Sequence, residues 1–179
     1  MKKAMILLLL LVVVFPSQAF AATYSNAYVD KYYFESYKDR VKEVKDAQKN
    51  LSKVLGTEVT ALAQKSKVSA ANYSNAVKNK LSKEAVAKAR NEMTQDKKTL
   101  AAAKAKLSKT VKSAKKESDA SLKEIANHKA SLVKMIKTHL EGKDQQSDAA
   151  FNKTLSSELS QIDSSFNAAL EYLQNIELD

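Results

Sequence analysis

The side chains able to do chemistry are few and far apart. His128 and His139 are the only histidines, there is no cysteine, and the serines stand without a base at any motif spacing. Eleven residues separate the histidines, which puts them on one helical face but about 16 Å apart along its axis. That is too far to share a metal ion, and neither has carboxylates at ligand spacing. No nucleophile elbow, glycine-rich phosphate loop or metal motif occurs. The sequence therefore predicts no enzymatic activity, no cofactor and no metal, and both histidines read as flanking residues of an apolar stripe. Asn50, Asn72 and Asn152 open glycosylation sequons, which would be chance matches were the chain bacterial.

Charge and tyrosine are plentiful instead. Residues 22–179 hold 28 basic and 20 acidic side chains, unevenly spread. Residues 61–140 hold 19 basic and 6 acidic, a net of +13, while residues 141–179 hold 2 and 8, a net of −6. Lys98, Lys109, Lys116, Lys123 and Lys134 fall opposite the apolar stripe, where solvation alone would serve with mixed signs. A stretch of this sign attracts polyanions. Outside the cytoplasm these are teichoic acids, lipopolysaccharide phosphates, anionic headgroups or an acidic protein surface. The acidic third helix is suited to neutralise part of the basic stretch, or to join molecules end to end as a homo-oligomer. Nucleic acid is not expected, because only Arg40 and Arg90 supply the forked donor that phosphates and bases favour.

Tyr24, Tyr28, Tyr32, Tyr33 and Tyr37 cluster around Phe34. At helical spacing the first three form a ladder, and Tyr33 and Tyr37 face elsewhere. One reading packs these rings where three helices meet. The other makes them a surface for a protein or saccharide, since tyrosine offers an apolar face with a polar tip.

The N-terminus gives the compartment. Lys2 and Lys3 precede an apolar run from Ala4 to Phe15, then Pro16, Ser17 and the small residues Ala19 and Ala21. That order predicts a signal peptide over 1–21, cut between Ala21 and Ala22. The run is shorter than the roughly 20 residues of a bilayer-spanning helix. Export into a compartment that permits disulfides, without a cysteine to form one, leaves helix packing as the source of stability.

An eleven-residue apolar repeat runs through residues 22–179, read as a single helical domain. Ala89, Leu100, Val111, Leu122 and Val133 form one row, with Ala103, Ala114, Ile125 and Ile136 beside it. Leu51, Leu62 and Tyr73 form another, and Phe151, Ile162 and Leu173 a third. Eleven residues is close to three helical turns, so such rows stay on one face and favour a straight or slightly right-handed supercoil. Turns are expected at Asn79–Lys83, capped by Ser82, and at Gly142–Ser147, capped by Asp144 or Ser147. Helices are predicted over about 24–78, 83–141 and 148–176. The expected fold is all-α: an elongated antiparallel hairpin, an eleven-residue-repeat coiled coil, with the shorter third helix at its N-terminal end. Lys78, Lys80 and Lys83 mark the arm tip. The competing arrangement folds the long helices back at Gly56 and near Lys115–Ser118 into a compact bundle.

In layout the chain is similar to helical, lysine-rich modules that attach bacterial surface proteins to anionic wall polymers. It is also similar in kind to periplasmic holdase chaperones with basic helical tentacles, though it has no strand-forming segment for their base. These likenesses imply a non-enzymatic envelope protein whose basic arm contacts an anionic polymer or a protein partner. The alternatives are an extracytoplasmic holdase, or a secreted effector or toxin component.

Overall fold

With two glycines and no proline after Pro16, little in this chain stops a helix. The computed structural model describes residues 24–177; the expected signal peptide over 1–21 and its expected cleavage residues Ala19, Ala21 and Ala22 lie outside them. Five helices follow: α1 (Asn26–Tyr33), α2 (Tyr37–Leu55), α3 (Thr57–Lys78), α4 (Lys83–Leu140) and α5 (Asp148–Gln174). No strand occurs among the described residues.

α4 is unbroken for 58 residues, about 87 Å, and passes straight through Lys115–Ser118. Every other helix packs on it. The pairs that join them follow one order. Asn26 accepts a hydrogen bond from Lys137, Asp30 pairs with Lys129, Gln48 donates to Ser118 and Asp119, and Lys65 pairs with Asp96. Numbers rise on one side as they fall on the other.

The stretch expected as one helix over 24–78 is divided into three. The first break, at Phe34–Ser36, turns the Phe34 ring into the core, where it is 6% exposed. The rings of this segment exceed what one helical stripe can bury, so the backbone changes direction to use two. The second break is a single residue, Gly56, at φ −80° and ψ −3°. A Cβ there would lie 2.6 Å from the Ser52 carbonyl oxygen. The apolar repeat carries on across it, which is why the sequence pattern shows no reset.

Burial divides the molecule in two. Val44, Leu51, Ile125, Leu132, Ile136, Phe151, Ile162 and Phe166 form a core where α2, α5 and the second half of α4 meet. Beyond the end of α5, only α3 faces α4. There the buried side chains of α3 are Val59, Ser66, Ser69 and Ala76, while Leu62, Met93 and Leu100 are half-buried. One partner helix covers one side of a stripe and no more.

Both turns close in the same way. After α4, the Gly142 and Lys143 amides donate to His139 and Thr138; after α3, the Lys80 and Leu81 amides donate to Val77 and Ala76. These are Schellman closures, whose left-handed position belongs to glycine by default. Gly142 takes it at φ 65°, and Lys80 takes it at φ 49°. Ser25, Ser82 and Ser147 cap the helices that follow them by accepting from Tyr28, Ala85 and Ala150. Asp144, the other candidate cap, is engaged with His139.

Replacing a helix-interior glycine by alanine ordinarily gains about 1 kcal/mol. Gly56→Ala should gain nothing, because the added methyl meets backbone that must shift. Thermal unfolding should show a melting temperature unchanged or lowered, and a rise of about 3 °C would contradict the close approach.

Candidate interaction surfaces

Lys98, Lys109, Lys116, Lys123 and Lys134 are all exposed. Set 100° apart per residue, they share one line on the outer side of α4, about 54 Å from first to last. None is in an ion pair among the described residues; Lys65, Lys129 and Lys143, by contrast, hold Asp96, Asp30 and Glu141. The Lys143 ammonium, hydrogen bonded to Glu141, holds that carboxyl below the usual range. Lys78, Lys80 and Lys83 are exposed together at the α3–α4 turn, and Val77 and Leu81 stand out among them at 48% and 51% exposure.

The tyrosines split between surface and core. Tyr24, Tyr28 and Tyr32 form a ladder with ring centroids 5.1 and 4.6 Å apart, and Tyr32 is 60% exposed with the Lys31 ammonium over its ring. Tyr33 and Tyr37 are half-buried against the core, Tyr37 edge-on to Phe166 at 5.5 Å. Burial pushes the Tyr28, Tyr33 and Tyr37 phenols up. Beneath them, the Lys129 ammonium lies 4.5 Å from the Tyr37 ring centroid and 5.1 Å from that of Phe34, with Asp30 at 2.6 Å. Charge and rings together fix α1 on α4.

The histidines do more than flank a stripe. His139 stacks on Phe151 at 3.7 Å, with Asp144 at 3.0 Å from one ring nitrogen and Asp148 at 3.3 Å from the other. His128 meets Glu158 of α5 at 2.5 Å. Both therefore tie α5 to α4. Sequence spacing gave no sign of this, because the carboxylates lie across a turn or thirty residues away.

Two open grooves flank α4. One, of about 450 Å³, lies between α1 and the end of α4 and includes Asn26, Lys134, Lys137 and Lys143. The other, of about 470 Å³, lies between α4 and α5 and includes Ser121, His128, Ser165 and Tyr172. A histidine paired with a carboxylate is also found in acyl-transfer triads, where a serine completes the set, so the two groove serines bear on the reading. Both donate instead to carbonyls of their own helices, Ser121 to Glu117 and Ser165 to Gln161. No hydrogen bond joins either hydroxyl to His128 among the described residues. No group of three metal-ligating side chains occurs among the described residues.

The Glu117 carboxylate beside Tyr172, together with desolvation, pushes its phenol up to about 12. A raised folded-state pKa contributes stability below the ordinary value of about 10, lost as pH climbs through the folded value. Ultraviolet titration should find Tyr172 among the late-titrating tyrosines, and Glu117→Gln should return that one towards its usual range while Tyr28, Tyr33 and Tyr37 stay raised. The chain matches no protein-family model, no curated protein and no solved structure.

Proposed function

We propose that this chain is an exported, non-enzymatic binding protein of the bacterial cell envelope that holds anionic polymer along its basic helical arm. The observation that carries this reading is the line of five exposed, unpaired lysines on α4, within a stretch of net charge +13. Solvation alone requires no bias of sign, and mixed charges would serve it as well. A uniform row raises the local concentration of a flexible polyanion and binds it without a shaped pocket.

The proposed architecture is an elongated antiparallel hairpin, α1–α3 against α4, built on the eleven-residue repeat, with α5 closing the base. The opposed order of the cross-helix pairs supports it, and so does the unbroken length of α4. Small-angle scattering should give a maximum dimension of at least about 85 Å. A value near 50 Å would sink the hairpin.

Purified teichoic acid or lipopolysaccharide should retain the protein at low salt and release it steeply as ionic strength rises. Changing Lys98, Lys109, Lys116, Lys123 and Lys134 to Gln should weaken retention about tenfold or more and flatten the salt dependence. Stability should stay within about 0.5 kcal/mol, because all five are surface positions. Retention indifferent to salt would refute the proposal.

A holdase is the second reading, favoured by Val54, Val68, Val77 and Leu81, which stand exposed along α2, α3 and the tip. It requires protection of an unrelated unfolded protein from aggregation at stoichiometric ratio. For a membrane-inserting toxin the support is weaker, since no helix among the described residues is long and apolar enough to cross a membrane.

A further inference from the structure

The α3–α4 turn is built against local preference. Its closure needs a left-handed residue, and this same chain places Gly142 in the equivalent position after α4. At the tip the position is filled by Lys80, a conformation that L-residues with a Cβ adopt at a cost. Strain retained where glycine would remove it points to a role for the side chain.

The surroundings indicate the role. Lys78 and Lys83 flank Lys80, and all three are exposed. Leu81 follows the strained residue. In a Schellman closure the residue at this position usually packs back on the preceding turn; here Leu81 is 51% exposed, and Val77 beside it is 48% exposed. Glu84 is the only acid between Val77 and Lys88. The α3–α4 turn therefore presents two exposed apolar side chains together with three exposed lysines.

We infer that the α3–α4 tip docks on an anionic lipid surface, with Val77 and Leu81 entering the interface and Lys78, Lys80 and Lys83 meeting the headgroups. A soluble polyanion would satisfy the lysines but offers no apolar phase for the valine and leucine. The other large exposed apolar side chains, Tyr32, Val54, Val68 and Tyr172, lie within α1, α2, α3 and α5 and not at the turn. The site is separate from the lysine row on α4, so either proposal can fail without the other.

The absence of cysteine allows the tip to be labelled alone. The full chain carrying Leu81→Cys and a polarity-sensitive dye should shift to the blue with vesicles of mixed phosphatidylglycerol and phosphatidylcholine, and not with phosphatidylcholine alone. A dye on Ser108→Cys, midway along the arm, should not shift. Lys80→Gly should raise the melting temperature by about 2–4 °C while weakening vesicle partition about fivefold, the effect of one lysine at an anionic surface. Val77→Ser with Leu81→Ser should weaken partition more than about tenfold and leave binding to soluble polyphosphate unchanged. The inference is overturned if the dye at position 81 shows no shift on the anionic vesicles or an equal shift on neutral ones. It is also overturned if Lys80→Gly stabilises the fold without loss of partition, or if the serine pair leaves partition intact.

Discussion

Everything in this fold depends on covering one apolar stripe along a helix that never stops. α4 contains neither glycine nor proline, and its rows repeat every eleven residues, so the stripe neither spirals away nor breaks for 58 residues. The other helices are arranged to suit it. α1 and α2 cover one flank of its second half, α5 the other, and α3 covers the first half alone. A domain of about 150 residues ordinarily closes around its core. Here the core is a line, and its ends differ because one has three helices to share and the other two.

A line of similar residues has a weakness, since Ala, Leu and Val at regular spacing pack nearly as well one row out of place. Polar contacts set the register. Ser118 is fully buried, accepts from Gln48 at 2.6 Å and donates to the Ala114 carbonyl at 2.8 Å, while Gln48 also reaches Asp119 at 2.8 Å. Sliding α2 by a row would leave that hydroxyl and amide unsatisfied, a larger loss than the net gain of making them. Arg40 acts similarly against α5, donating to Asn167 and lying over the Phe166 ring. No buried side-chain nitrogen or oxygen among the described residues lacks a partner.

Much of this was legible in the sequence, because periodicity and capping are local. The extents of α4 and α5, the caps at Ser82 and Ser147 and the left-handed Gly142 all follow from spacing and residue type. The break at Phe34 does not: nothing in the first helix's own pattern says that Phe34 is needed in a core built by residues more than a hundred positions away. Gly56 was visible but ambiguous, since a kink of one residue leaves an eleven-residue row in phase. The lysine row could be read from its spacing. The engagement of His128 and His139 could not, since their partners are set by how α5 lies on α4.

The shared helix also sets how the chain reaches this arrangement. Lys65 and Asp96 are joined across a short turn, and so are His128 and Glu158, whereas Lys137 and Asn26 are 111 residues apart. Closing a loop costs more entropy as it lengthens, so the contacts around each turn are the cheap ones and those at the base come dearest. Local contacts of short loop length therefore lie around both turns that flank α4. Both sets of turn contacts need the same helix formed, and the closure of α1 spans the longest loop of those compared.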